Sequence, residues 1–230
     1  MSKIARAVCS ALVVGGAFIP FVATAQRVGD MTFGVMAGAN LATLEQDPDP
    51  NEVDYGYKPG LLAGVFLEIP LSGGFSFEPQ ALYSQKGADV DGTGSNASLD
   101  GSIRINYIEV PVLLKAKFPM ASTQVTPFLF AGPSFAFKVG CTARGEIVTA
   151  TGSEDCEEVG NGTLLDIKST DIGLTGGGGI QFNAGGYPLR LDVRYTWGLT
   201  NINDAPDSDN REIKNRAFGA TIGLGFAWPR

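Results

Sequence analysis

Apolar and polar residues alternate over eight separate stretches of the chain. In the stretch from Leu189 to Leu199 every second residue is apolar or aromatic, and Arg190, Asp192 and Arg194 lie between them. A repeat of two residues indicates a β-strand with two different faces. The other seven stretches are centred on residues 33–41, 61–69, 75–83, 108–118, 129–139, 172–182 and 218–228. The pattern predicts an all-β protein with eight strands.

The charged residues of these stretches fall on the side opposite to the apolar residues. The acidic ones are Glu68, Glu78, Glu109, Asp171 and Asp192, and the basic ones are Lys86, Lys115, Lys117, Lys138, Arg190 and Arg194. Outward-facing bases occur only at predicted strand ends, at Arg104, Lys168, Lys214 and Arg216. A basic residue that faces lipid at mid-bilayer costs about 2–4 kcal/mol, whereas a soluble sandwich turns its charges outward. The segregation therefore predicts an eight-stranded antiparallel transmembrane β-barrel.

The connections between the predicted strands alternate in length. Short links are expected at residues 71–74, 119–124 and 183–187, and long ones at 42–58, 87–102, 140–166 and 201–212. Short periplasmic turns and longer extracellular loops are typical of bacterial outer-membrane barrels. With an even number of strands, we expect both termini on the periplasmic side.

The N-terminal residues have the features of a secretory signal peptide. Lys3 and Arg6 precede an apolar segment at residues 7–19, and Ala23-Thr24-Ala25 fits a cleavage site. We therefore divide the chain into a signal peptide, residues 1–25, and a barrel domain, residues 26–230. Export as a barrel predicts the bacterial outer membrane as the location, with outer-membrane lipid as the surroundings and a monomeric state.

Two cysteines remain once the signal peptide, with Cys9, is removed. Cys141 and Cys156 flank an acidic segment that contains glycine. In an oxidising compartment such a pair favours a disulfide that closes a loop, and two free thiols are the alternative.

Several segments resemble the PorT-like outer-membrane β-barrel family. They are residues 33–41 (FGVMAGANL), 77–87 (FEPQALYSQKG), 106–115 (NYIEVPVLLK) and 127–133 (PFLFAGP), with the pairs Arg194-Tyr195 and Gly198-Leu199. The resemblance extends from about Thr32 to Trp228. It implies a bacterial outer-membrane barrel, and some members of that family are associated with secretion machinery.

The inward charges are the first candidate site. They form a predicted lumen network of Glu68, Glu78, Glu109, Lys115, Lys138, Asp171, Arg190, Asp192 and Arg194. Such residues either line a narrow ion path or pair with one another and fill the barrel. An eight-stranded barrel has an interior about wide enough for side chains alone, which favours the filled lumen.

The acidic connections are the second candidate site. The acids concerned are Glu45, Asp47, Asp49, Glu52, Asp54, Glu154, Asp155, Glu157, Glu158, Asp204, Asp207 and Asp209. Oxygen-rich loops suit divalent cations or a basic partner, although plain solvated loops have the same composition. The formal net charge of −7 argues against nucleic acid as a partner.

The composition argues against catalysis. The chain has no histidine, which removes the usual base near neutral pH and the commonest metal ligand. The glycine run 176–179 lacks the Lys-Ser/Thr that completes a phosphate-binding loop, so we interpret it as strand. We expect no cofactor, no metal centre and no enzymatic activity. A surface-interaction protein is the leading hypothesis, a narrow channel is the alternative, and a lipid-modifying enzyme is the third.

Overall fold

The computed structural model describes residues 30–47, 53–94, 97–120, 124–145, 153–156, 167–204 and 212–228. The predicted signal peptide lies outside them. Within this part of the chain there are nine strands: β1 (Thr32–Asp47), β2 (Val53–Pro70), β3 (Phe75–Gly94), β4 (Ala97–Lys117), β5 (Val125–Gly145), β6 (Ser153–Asp155), β7 (Thr170–Ala184), β8 (Tyr187–Gly198) and β9 (Glu212–Ala227). None of the described residues belongs to a helix that is long and apolar enough to cross a bilayer.

Eight of these strands form one closed antiparallel barrel. Each barrel strand pairs with its neighbours along the chain, and β1 pairs with β9 to close the ring. The short strand β6 pairs only with the end of β5, through Thr142–Asp155 to Arg144–Ser153, and takes no part in the ring. The prediction of an eight-stranded antiparallel barrel is therefore confirmed.

The two faces of the barrel differ in polarity as the alternation predicted. Val35, Leu114 and Val193 point outward and are 50–52% exposed, whereas Glu78 and Lys115 point inward and are 1% exposed. An apolar outer face suits the hydrocarbon of a bilayer, which leaves the interior for the polar side chains.

Two of the short connections are tight turns built from glycine. Gly185 and Gly186 join β7 to β8 with φ values of 61° and 90°. A two-residue hairpin of the type that matches strand twist needs positive φ at both positions, which glycine adopts without steric cost. Gly73 and Gly74, between β2 and β3, also have positive φ. These turns fix the register of the strands that carry the inward charges.

The first two long connections are shorter than the sequence predicted. Strand β1 continues to Asp47 and β2 begins at Val53, and β3 and β4 extend to Gly94 and from Ala97. Most of the predicted connections 42–58 and 87–102 therefore continue the strands. In these extensions Leu44, Ala88 and Val90 face inward and are buried, as in a barrel surrounded by water. The strands are longer than predicted because their outward-facing apolar residues end before the strands do.

Candidate functional site in the barrel interior

Four strands, β2, β3, β4 and β8, contribute the charges that pair inside the barrel, at positions whose side chains point inward. Strand β8 supplies Arg190, Asp192 and Arg194, and all three are buried. Strand β9 faces them with glycine. A Cβ atom on Gly223 would lie 3.0 Å from Cγ of Arg190, and one on Gly219 would lie 3.1 Å from Cγ of Arg194. The glycines therefore leave room for the arginine stems.

A continuous chain of ion pairs runs through the lumen. Glu68 accepts from Lys115 Nζ at 3.0 Å and also pairs with Lys117. Lys115 lies 3.0 Å from the carboxylate of Glu78, which accepts from Arg190 at 2.8 Å. The chain continues from Arg190 through Asp192 to Arg194, with distances of 3.2 and 2.9 Å. Each of these charges is thereby compensated by at least one opposite charge.

Aromatic rings pack against the cations inside the barrel. Lys115 Nζ lies 4.1 Å from the centre of the Phe128 ring, and the Arg190 guanidinium lies 4.2 Å from that of Phe66. Phe130 is placed in the same way 5.4 Å from Arg194. A desolvated cation over a ring face gains about 2 kcal/mol. The rings also fill space that water would otherwise occupy.

These inward phenylalanines are residues that the sequence analysis missed. They lie at the same alternate positions as the inward charges, whereas the predicted strands were recognised from apolar residues at the outward positions. Their signal in the sequence is glycine on the adjacent strand. A Cβ atom on Gly177 would lie 2.7 Å from Cζ of Phe130, and one on Gly179 would lie 2.7 Å from Cζ of Phe128. The glycines of β7 thus leave the space that the rings of Phe128 and Phe130 occupy.

A second ion pair lies apart from this chain. Lys86 Nζ is 2.9 Å from a carboxylate oxygen of Glu109, and both side chains are buried. The Ser134 hydroxyl donates to the other oxygen of Glu109 at 2.7 Å. Serine, carboxylate and lysine are therefore in direct contact, but all are shut away from solvent.

Two members of the predicted network do not join these ion pairs. Asp171 accepts a hydrogen bond of 2.8 Å from the Asn215 amide, which also donates to the Tyr107 hydroxyl at 3.2 Å. Lys138 is only partly buried, and its Nζ donates to the carbonyl of Ile167 at 2.6 Å. The structure thus brings seven of the nine predicted residues into ion pairs and places Asp171 and Lys138 nearer the end where the long connections lie.

A small cavity lies among some of the buried polar side chains. Between Asn40, Ser84, Lys86, Glu109 and Arg194 there is a cavity of about 10 Å³. That volume corresponds to about one water molecule. Among the described residues there is also no group of three or more acidic or cysteine side chains that could hold a metal ion.

An apolar core closes the barrel at the end of the long connections. Ile103, Ile105 and Tyr107 of β4 point inward there and are at most 5% exposed. The whole outer core comprises Leu44, Ala88, Val90, Ile103, Ile105, Tyr107, Ala136, Cys141, Ala143, Cys156, Ile167, Ile202 and Ile213. Apolar side chains packed across the lumen exclude water, so the polar interior is sealed at this end.

The third and fourth connections contribute to this outer core. Cys141 of β5 and Cys156 are joined by a disulfide and are both buried in it. Ile167 and Ile202 come from segments that flank β7 and β8, and Ile167 pairs with Asn203 through a β-bridge. The disulfide therefore holds Cys156 in the outer core beside the end of β5.

The acidic residues of the connections are described only in part. Glu45, Asp204 and Glu212 are exposed at this end of the barrel. The hydrogen bond from Lys214 and its positive charge lower the pKa of Glu212. The side chains of Asp49, Glu52, Asp54, Glu154, Asp155, Glu157, Glu158, Asp207 and Asp209 lie outside the described residues.

Comparison with known proteins gives one family and a set of similar folds. The family model described as "Outer membrane protein beta-barrel domain" matches residues 24–204. The chain is similar in structure to Neisserial surface protein A (NspA), with 14% identity, a TM-score of 0.48 and coverage of 85% of this chain and 97% of that one. It is also similar to OprG from Pseudomonas aeruginosa, with 12% identity, a TM-score of 0.48 and coverage of 87% and 98%.

The outer membrane enzyme PagL is among the similar structures too, with 13% identity, a TM-score of 0.35 and coverage of 84% and 100%. Comparison with curated proteins gives no match. Structural similarities at TM-scores below 0.5 carry no argument about function. The family match over residues 24–204 is what assigns the class of the chain.

Proposed function

The chain belongs to the outer membrane protein beta-barrel domain family, and it is an eight-stranded barrel of the bacterial outer membrane. From this premise we propose that it is a closed anchor, which holds acidic connections at the cell surface for interaction with cations or a basic partner. In this proposal the short turns and both termini face the periplasm. A closer kinship with PorT-like barrels also belongs to the proposal.

The observation that carries the proposal is the filled and capped interior. Each ion pair of the lumen occupies space that a permeant ion would need, and the cavity between Lys86, Glu109 and Arg194, of about 10 Å³, has room for about one water molecule. Above it lies the outer core with Ile103, Ile105 and Tyr107. A conducting barrel would have to displace both layers, which argues against the channel hypothesis.

The buried polar groups also argue against an enzyme. Ser134 is the serine with the most suggestive surroundings, because it contacts Glu109 and, through it, Lys86. The carboxylate of Glu109 is already compensated by the lysine, and Ser134 is 2% exposed. A substrate bond cannot reach this hydroxyl without opening the barrel wall, so a nucleophilic role is not supported.

Conductance in planar bilayers tests the closed lumen. We expect purified wild-type barrel to add no current above that of the bare bilayer at either polarity. Arg190→Ala, which removes a large side chain from the chain of ion pairs, should still be silent because the outer core is intact. Steady, salt-dependent conductance of the wild type would contradict the closed-anchor proposal and favour the channel.

Binding of a cationic probe to intact cells tests the surface role. Cells that display the barrel should bind fluorescent polylysine, and the binding should fall when Glu154, Asp155, Glu157 and Glu158 are replaced together by their amides. The control is Asp30→Asn, which changes an acid that the proposal places on the periplasmic side. Equal binding by all three cell types would reject the acidic connections as an interaction surface, and calcium or magnesium in the buffer would test competition by divalent cations.

A further inference from the structure

The outward-facing residues of β9 change abruptly from basic to apolar along the strand. From the strand start inward it consists of Lys214, Arg216, Phe218, Ala220 and Ile222, which alternate with buried residues. Phe218 and Ile222 are 46% and 50% exposed on the apolar outer face. The two bases therefore stand directly above the lipid-facing band, at the height where lipid headgroups begin.

The contacts of these bases hold them in place, and the carboxylates that pair with them are more exposed than the bases. The Arg216 guanidinium lies 5.6 Å from the ring centre of Trp197 and donates to a backbone carbonyl at 2.6 Å. Its carboxylate partner, Glu45 at 2.5 Å, is 58% exposed, while the arginine side chain is 14% exposed. Lys214 and Glu212 form a similar pair at 2.5 Å, with the acid 51% exposed. Exposed acids of this kind are weakly held partners.

A groove opens beside the two bases. Its volume is about 670 Å³, and its walls include Glu45, Tyr57, Tyr195, Lys214 and Arg216. Its wall carries the bases Lys214 and Arg216 together with the acids Glu45, Asp47 and Glu212, so a phosphate group would compete with these carboxylates for the two bases. Its tyrosines are typical of a membrane interface.

An apolar depression lies on the same face of the barrel, nearer the middle of the outer band. Ala37, Gly178 and Ala220 are small, whereas their neighbours Leu191 and Ile222 are large, and the space between them is about 440 Å³. Strands β8, β9 and β1 border both the groove and the depression. The two features are therefore parts of one surface.

We propose that this surface binds one phosphate-bearing lipid of the outer leaflet. The phosphate would lie between Lys214 and Arg216 in competition with Glu45 and Glu212, and an acyl chain would lie in the depression. From Arg216 to Ile222 a strand rises about 20 Å, or about 14 Å along the membrane normal at a tilt of about 45°. Half the hydrocarbon core is about 15 Å thick. The surface thus has the length of one leaflet.

The inference rests on the proposed orientation only for the choice of leaflet. Binding by purified barrel does not depend on which side faces out, so a failure of binding leaves the closed-anchor proposal untouched. Orientation itself is tested separately, by labelling an introduced cysteine in intact cells with a reagent that does not cross membranes.

Quenching of Trp197 fluorescence measures the binding. Trp197 and Trp228 are the only tryptophans of the chain, so the variant Trp228→Phe leaves a single reporter beside the groove. The full-length barrel is placed in phosphatidylcholine bilayers that contain phosphatidic acid with brominated chains. We expect stronger quenching than with the same fraction of brominated diacylglycerol, which has the chains but no phosphate.

Matched variants separate the parts of the site. Lys214→Gln with Arg216→Gln should lower the preference for phosphatidic acid about thirtyfold, since each basic residue near an anionic lipid contributes about fivefold. Arg144→Gln removes an exposed base from β5 and should have no effect. Glu45→Gln should strengthen binding because it removes the competing carboxylate.

A second pair of variants tests the acyl chain. Ala220→Leu fills the depression and should weaken binding of both brominated lipids near Trp197, whereas Ala131→Leu, at an exposed position of β5, should not. If Arg144→Gln lowers the preference for phosphatidic acid as much as the Lys214 and Arg216 variant does, the proposed site is rejected, and the lipid is attracted to basic residues in general. If millimolar inorganic phosphate fully reverses the quenching, the lipid is rejected as the ligand and the site binds free anions.

Discussion

The ion pair between Lys86 and Glu109 offers the sharpest test of how the barrel interior is stabilised. Its atoms are 2.9 Å apart, and the side chains are 3% and 4% exposed. At a separation of 2.9 Å and an effective dielectric constant of about 20, the attraction is about 6 kcal/mol. The loss of water around both charges offsets most of this gain.

We expect the two single variants to be far less stable than the double variant. Lys86→Met leaves Glu109 buried with the Ser134 hydroxyl and the charge of Arg194, and Glu109→Met removes the carboxylate in contact with the lysine and leaves it the charge of Asp171. Each should lower the free energy of unfolding by about 3–5 kcal/mol. The double variant replaces the pair by apolar chains of similar length and should be close to wild type.

Guanidinium unfolding of the barrel in phosphatidylcholine vesicles, followed by tryptophan fluorescence, measures these differences. Lys58→Met is the control, because its partner Asp89 is 43% exposed and the pair should contribute only about 0–1 kcal/mol. If the double variant loses the sum of the two single losses, the residues act independently and the reasoning about a coupled buried pair is refuted.

Three further predictions concern packing, the disulfide and the lipid face. Gly177→Ala should destabilise the barrel by about 1–3 kcal/mol because its Cβ would lie 2.2 Å from the Val193 carbonyl oxygen and 2.7 Å from the Phe130 ring, while Gly176→Ala, with its nearest atom at 3.8 Å, should be tolerated. Unfolding curves would show the contrast, and equal effects would argue against close packing at Gly177. Replacing Cys141 and Cys156 by serine should lower stability by about 3 kcal/mol, as expected for a loop of 15 residues. If dithiothreitol leaves the wild-type unfolding midpoint unchanged, the disulfide does not stabilise the fold. Val193→Arg, at a position 50% exposed on the outer face, should cost about 2–4 kcal/mol in bilayers, and a gel-shift assay of heated and unheated samples should show less folded barrel; an unchanged folded fraction would mean that this position does not face hydrocarbon.

The membrane-facing half of the barrel was predictable because one physical rule governs each strand there. Lipid outside and polar groups inside impose opposite residue types on alternate positions, so β8 shows its two faces in the sequence alone. Even the weak alternation of β7 gave the right element. Which charges pair was not predictable, since Glu78 and Arg190 are 112 residues apart and meet only through the ring of strands.

The outer end was mispredicted because the rule reverses there. In the extensions of β3 and β4 the apolar residues Ala88, Val90, Ile103 and Ile105 face inward, as in a water-soluble barrel. If apolar residues are expected only at outward positions, these residues are assigned to loops. Their signal in the sequence is that the apolar residues of one strand move from the outward to the inward positions. In β4 this change occurs near Asn106 and Tyr107, where the pairing with β5 has a bulge.

The length of the β3–β4 hairpin determines how strongly the charges in its outer part interact with the lipid phosphates. Strand β4 has 21 residues, whereas about 9–11 suffice to cross the bilayer. The roughly 10 remaining residues reach about 23 Å from the membrane at a tilt of about 45°. Ionic screening at physiological salt acts over about 8 Å. Asp91 and Asp100, which pair with each other in the outer part of this hairpin, are therefore electrostatically separated from the lipid phosphates. Their attraction for a cation depends on the salt of the medium and not on the lipids beneath.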